Sequence, residues 1–174
     1  MKVEIRSCRN LALALAALTV PLLLSSCAIG HRTVSGTVGP KLSAVHSYGG
    51  RGYLMVYSET DEIHVGDGIP YYIHTSYNIE TPDGQPVKWI PNHAGDMDEA
   101  PQFVSLPSGN YQVVAKSTDY GQVRVPVLIQ AGQTTKIHME GKGSWRPQKP
   151  SVGSNGLACL PDGEPIGWLA SVGK

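Results

Sequence analysis

The chain has 174 residues, with 14 Lys and Arg against 14 Asp and Glu and a formal net charge of zero. No block of Lys and Arg follows Arg9, so the basic patch that recruits nucleic acid is missing. One phenylalanine against eight tyrosines, with 20 glycines and 13 prolines, favours strands and turns over helices and predicts an all-β chain.

At the N-terminus, Lys2, Arg6 and Arg9 precede an apolar run from Leu11 to Leu24. That is the length of a secretory signal's core and too short to span a bilayer comfortably. Leu24-Ser25-Ser26-Cys27 closes the run with small residues and a cysteine. This ending resembles the bacterial lipoprotein box, in which the cysteine is lipidated and the segment before it is removed. The resemblance implies a signal peptide over 1–26, lipidation at Cys27 and a chain held on a membrane of the cell envelope. Ala28 is not acidic, which in Gram-negative members of that family goes with the outer membrane, facing the periplasm. The alternative is an ordinary small-residue cleavage site at Ser25-Ser26-Cys27 with Cys27 incidental; lipidation is the favoured reading. Loss of 1–26 removes Lys2, Arg6, Arg9 and Glu4, taking the balance of 14 and 14 to 11 basic and 13 acidic residues.

Residues 27–50 are rich in Gly, Ser, Thr and Val without either structural period, and read as a flexible tether reaching roughly 25 Å. From residue 51 the texture changes. Tyr53 to Tyr57 is a first apolar run; Ile63 to Tyr72, broken by Gly66, Gly68 and Pro70, reads as an extended loop. Ile73, Tyr77 and Ile79 alternate with polar residues as a half-buried strand with His74 facing outward, and Thr81-Pro82-Asp83-Gly84 turns the chain into Val87 to Ile90. A polar loop over 92–101 leads to Phe103 to Leu106; strands follow at Tyr111 to Lys116, Gln122 to Ile129 and Thr135 to Met139. Pro126 inside the second of these predicts an edge strand or a bulge. So many short strands, with turns at this density, predict a β-sandwich over 51–140.

Leu106, Pro107, Gly109 and Tyr111, with the strands that follow as far as Met139, resemble the back half of the carboxypeptidase regulatory-like family. Ile79 to Pro86, with its Asp83-Gly84, resembles that family's earlier strand and turn. The resemblance implies an immunoglobulin-like (transthyretin-like) antiparallel β-sandwich with Tyr111 filling its core, and it says little about activity. The 91–101 loop is longer than the family's connection.

Gly141 to Gly156 reads as a linker, and 157–174 as a small C-terminal β-hairpin that docks through Leu160 and Trp168. With Cys8 removed and Cys27 acylated, Cys159 has no partner for a disulfide and reads as a small buried hydrophobe. Asp96, Asp98 and Glu99 with His93 are candidate calcium ligands and His64 with His74 candidate zinc ligands; neither set has a recognised ligand spacing, so no metal or other cofactor is expected. No nucleophile elbow or phosphate loop occurs, and no catalytic residue is assigned. The aromatic residues Tyr53, Tyr57, Tyr71, Tyr72, Tyr77 and Trp89 either fill the core or line a binding face. Tyr71 and Tyr72 are the partner-binding candidates, since neighbours on a strand point to opposite faces and one must be exposed. The expectation is a non-catalytic envelope lipoprotein presenting a binding or structural module to a protein or polysaccharide partner. The alternatives are an accessory subunit of an envelope enzyme or transport complex, and a metal-dependent module.

Overall fold

Residues 32–40, 50–66, 68–147 and 156–170 are described by a computed structural model. The expected signal segment, Cys27, and residues 41–49 and 148–155 of the expected tether and linker lie outside them. In chain order the strands are β1 (Arg32–Thr33), β2 (Arg51–Tyr57), β3 (Thr60–Val65), β4 (Ile69–His74), β5 (Tyr77–Glu80) and β6 (Pro86–Ile90). They continue as β7 (Val104–Pro107), β8 (Gly109–Ser117), β9 (Gly121–Ile129), β10 (Thr134–His138), β11 (Leu157–Cys159) and β12 (Pro165–Trp168). The described residues are all-β. A five-stranded sheet, ordered β1-β9-β8-β5-β6, faces a three-stranded sheet, β10-β2-β7; β3 and β4 form a separate ladder, as do β11 and β12.

The core follows from period-2 alternation. Leu54 and Val56 of β2 are fully buried, as are Val123, Val125 and Val127 of β9. They meet Ile79, Val113, Ile137 and Leu106 in one apolar cluster, and burying side chains of this size contributes about 1.5–3 kcal/mol each. Tyr111 packs on this cluster from the corner where the chain crosses from β7 in one sheet to β8 in the other. Its hydroxyl donates to the Pro107 carbonyl at 3.1 Å, so it pins that corner besides filling space.

Several expectations need correction. The sandwich is mixed and not wholly antiparallel: β10 runs parallel to β2, from Thr134 opposite Tyr53 to His138 opposite Tyr57, and β1 runs parallel to β9. Residues 63–72 form no loop; β3 and β4 pair from Thr60–His74 to Val65–Ile69 as a projecting arm. The glycines serve as its tip, where Gly66 (φ 44°) and Gly68 (φ 77°) adopt the left-handed backbone that only glycine takes without strain. The strand expected over 73–80 breaks at Thr75-Ser76, where the chain passes from the arm into the large sheet.

Pro126 lies on an interior strand, because β9 sits between β8 and the chain's first described segment. Its tolerance has a local cause. Val34 N–H donates to Arg124 O, Val38 N–H to Pro126 O, and Leu128 N–H to Val38 O. A strand residue's N–H and C=O point the same way, so the proline's missing donor faces residues 35–37, which bulge out of the ladder.

Residues 32–39, assigned by composition to the tether, thus add to the large sheet, with Val34 and Val38 in the core. Val38 also bridges to Leu169, and Ala158, Leu160 and Ile166 are buried in the same core. The C-terminal hairpin therefore docks on the sandwich. Leu160 is buried as expected, while Trp168 is half-buried and meets Trp145 edge-on at 6.3 Å. Cys159 is a free thiol, half-buried and not fully buried as its apolar run suggested.

Candidate functional site

A cleft of about 400 Å3 opens at the root of the arm, within the range that holds small ligands. Asp61, Ile73 and His74 of the arm wall one side. The outer face of the large sheet walls the other, through Asn78, Trp89, Lys116 and Gln122. Strand pairing explains the grouping: Asn78 lies opposite both Trp89 of β6 and Val114 of β8, and Lys116 lies opposite Gln122. Cross-strand partners share a face, so these side chains form adjacent rows on one surface. Trp89 is 60 % exposed, on β6 at the edge of the sheet among the described residues.

A buried polar hub supports the cleft from behind. Asn92 is fully buried and holds φ at 67°, a conformation that asparagine tolerates better than most residues. Its Nδ2 donates to the Val56 carbonyl at 2.9 Å and reaches Ser58 Oγ at 3.0 Å and the Thr75 carbonyl at 3.3 Å. Its Oδ1 accepts from Gln102 N–H at 3.1 Å, and Ser58 Oγ donates to the Thr75 carbonyl at 2.7 Å. One side chain thus fastens β2, the entry to β5 and the loop before β7. His74 joins the same cluster. It is buried and does not face outward; Nδ1 lies 2.8 Å from the Ser58 carbonyl. A carbonyl only accepts, so Nδ1 carries the hydrogen and a neutral ring keeps its lone pair on Nε2.

Three polar atoms in the cleft's lining residues, Thr75 Oγ1, the Tyr77 hydroxyl and His93 Nδ1, are buried without a hydrogen-bond partner in the protein. Tyr77 also contributes to the lining, but its side chain is on the core side of β5, where burial pushes the phenol well above the usual tyrosine range.

The residues singled out from sequence are placed as follows. Tyr71 is half-buried and Tyr72 is 47 % exposed, on opposite faces of β4, and neither lines the cleft. Glu99 Oε1 accepts the Tyr72 N–H at 2.7 Å, and Asp98 Oδ1 accepts the Ala100 N–H at 3.0 Å; two of the three calcium-candidate carboxylates are engaged with backbone. His64 and His74 sit at opposite ends of the arm's ladder, His64 opposite Pro70 and His74 opposite Thr60. That is about 13 Å of strand. No group of three His, Cys, Asp or Glu poised for a metal occurs among the described residues.

Of the aromatic set only Tyr77 is buried; Tyr53, Tyr57 and Tyr71 are half-buried, and Tyr72 and Trp89 are exposed. On the outer face of the small sheet, His138 is sandwiched between Tyr57 at 4.4 Å and Trp145 at 4.6 Å, with Glu140 Oε1 3.2 Å from its Nδ1. Trp145 and Trp168 line a cavity of about 200 Å3 beside it.

Sequence reading missed the cleft's walls, because Asn78, Gln122 and Lys116 are polar residues on strand outer faces and look like ordinary solvated positions. Trp89 carried the available signal: it is the sole tryptophan between residues 51 and 140, on a short strand that also carries Lys88. Compared with protein-family models, with curated proteins and with solved structures, the chain matches none.

Proposed function

We propose that this chain is a non-catalytic envelope lipoprotein: an immunoglobulin-like (transthyretin-like) β-sandwich, lipidated at Cys27, that holds a partner at a membrane surface. The Leu24-Ser25-Ser26-Cys27 box supports the anchor, with Ala28 favouring an outer membrane and a periplasmic face. Tyr111, bonded back to Pro107 at a corner between sheets, supports the finer fold, since sandwiches of that class fix the same corner with a tyrosine hydroxyl.

One observation carries the binding role. The exposed large hydrophobic side chains among the described residues are Ile69, Tyr72, Val87, Trp89, Met97 and Phe103. Single exposed apolar residues are normal, but these all fall within residues 69–103, on the arm, β6, the connecting loop and the entry to β7. In the large sheet β1 and β6 are the two outermost strands, about 19 Å apart at the usual strand spacing. The edge opposite β1 carries two of the six, Val87 and Trp89 on β6, which suits a tethered module that meets its partner on the side away from its attachment. That partner is an envelope protein or polysaccharide; an accessory subunit positioning an envelope enzyme or transporter is the same reading with a catalytic partner.

The test is a photo-activated cross-linking residue placed singly at Tyr72, Trp89 or Lys142 in the full chain in cells. Capture is expected from 72 and 89 and not from 142, which lies beside the hairpin turn. Equal capture from all three positions, or none from any, would remove the proposal.

A further inference from the structure

We infer that the cleft at the root of the arm is a binding site for a neutral saccharide, an inference that rests on the reading of the chain as a binding module. A sugar ring offers two kinds of surface, an apolar face of C–H groups and a rim of hydroxyls that each donate and accept. The cleft offers the complement of both. Trp89 supplies an open indole, 60 % exposed, large and rigid enough to take a ring face. Asn78, directly opposite it in the ladder, and Gln122, on the same face of the sheet, are both exposed and line the cleft. Each amide carries two donors and an acceptor, the pattern that vicinal hydroxyls satisfy.

The walls also hold groups that the protein leaves without partners. Thr75 Oγ1 and His93 Nδ1 are buried and unbonded within the protein. Polar atoms in such positions are ordinarily matched, and both belong to residues that line the cleft.

Other ligand chemistries fit less well. The two charged side chains in the lining, Asp61 and Lys116, are opposite in sign, so the cleft has no net charge to select an anion or a cation. An extended peptide would add to the free edge of β6 through main-chain bonds, whereas the polar side chains stand on the sheet's outer face. At about 400 Å3 the volume suits a small ligand or the end of a glycan.

The experiment titrates the purified full chain in detergent with three defined neutral probes: an N-acetylglucosamine trimer, a β-linked glucose trimer and an α-linked glucose trimer. Binding is read by calorimetry, with tryptophan emission alongside. Saturable binding of at least one probe is expected, weakened at least tenfold by Trp89→Ala and several-fold by Asn78→Ala or Gln122→Ala, with circular dichroism unchanged in each variant. Lys142→Ala, away from the cleft, should leave the affinity alone. If none of the probes binds at millimolar concentration, or if binding survives Trp89→Ala unchanged, the saccharide assignment is overturned. Should that happen while residue 89 still cross-links a protein in cells, the binding-module reading stands and only the ligand class is wrong; failure of both removes both.

Discussion

Asn92 Nδ2 donates to the carbonyl of Val56, 36 residues earlier in the chain, at 2.9 Å from a side chain with no solvent exposure. The same residue carries a positive φ, so its identity is set twice, by backbone and by bonding. Asn92→Ala places an alanine in the left-handed region, at about 1–2 kcal/mol. It also strips Gln102 N–H and the Val56 carbonyl of a buried partner, at about 1–3 kcal/mol for each group left unmatched. A loss of at least about 3 kcal/mol in urea unfolding is expected. Asn92→Gly relieves the backbone term alone and should recover about 1 kcal/mol of that loss. Equal losses for the two variants would show that φ contributes nothing.

The corner bond between Tyr111 and Pro107 predicts a smaller effect. Tyr111→Phe keeps the ring against the core and deletes only the donor, and the accepting carbonyl belongs to exposed Pro107, where water can replace it. The expected loss is about 0.5–1.5 kcal/mol. Tyr111→Ala also removes the ring and should cost at least twice as much, measured in the same unfolding series.

These residues mark how far the sequence could be read. The all-β class, the turns at Thr81–Gly84 and Pro161–Glu164, and the docking of Leu160 follow from local rules of alternation and turn chemistry, and the structure agrees with them. The arm is not legible locally, because glycines at 66 and 68 and Pro70 signal a break without saying whether the flanks pair across it. The parallel pairing of β10 with β2 joins residues about 80 positions apart, and no local pattern carries such information. The Asn92 hub and the cleft are further cases. They exist only once β2, β5, β6, β8 and the 91–103 loop are assembled, and their polar residues are unremarkable in isolation. Residues 32–39 lacked a strand period because their partner β9 is interrupted by Pro126, and the chain bulges to match it.

Acid should loosen the C-terminal hairpin through Asp162. Its carboxylate accepts the Glu164 N–H at 3.1 Å and pairs with Lys142 Nζ at 3.1 Å. The backbone bond first, then Lys142, holds its pKa below the ordinary value of 3.8. A depressed folded-state pKa contributes stability that is present above the unfolded value and lost as pH falls through the folded one. Glu164 works the other way: burial and the nearby Asp162 and Asp119 raise its pKa above 4.5, so its protonation on the way down favours the folded turn. Destabilisation from Asp162 should therefore appear only below about pH 4, after Glu164 has titrated. Emission from Trp145 and Trp168, which meet edge-on beside the hairpin, can be followed from pH 6 to pH 2. The change below pH 4 should shrink in Asp162→Asn, which keeps an oxygen for the Glu164 N–H. An identical profile in that variant would assign the transition to other carboxylates.

The proposed lipidation at Cys27 would have a mechanical consequence. Four residues separate Cys27 from Arg32, where β1 begins, and the five steps of chain between the two extend at most about 18 Å. A lipid at Cys27 would hold the start of the sandwich close to the headgroups, where the composition of 27–50 alone allowed a looser tether. Cys27→Ala should block lipoprotein processing and move the protein from the membrane fraction to the soluble fraction, with mass spectrometry of wild type showing acylation on Cys27. Five flexible residues inserted after Ala28 should keep the acylation and the membrane fractionation while raising the rate at which an added protease cuts near Arg32. If Cys27→Ala fractionates with the membrane as wild type does, and no acyl chain is found, the anchor is not at Cys27.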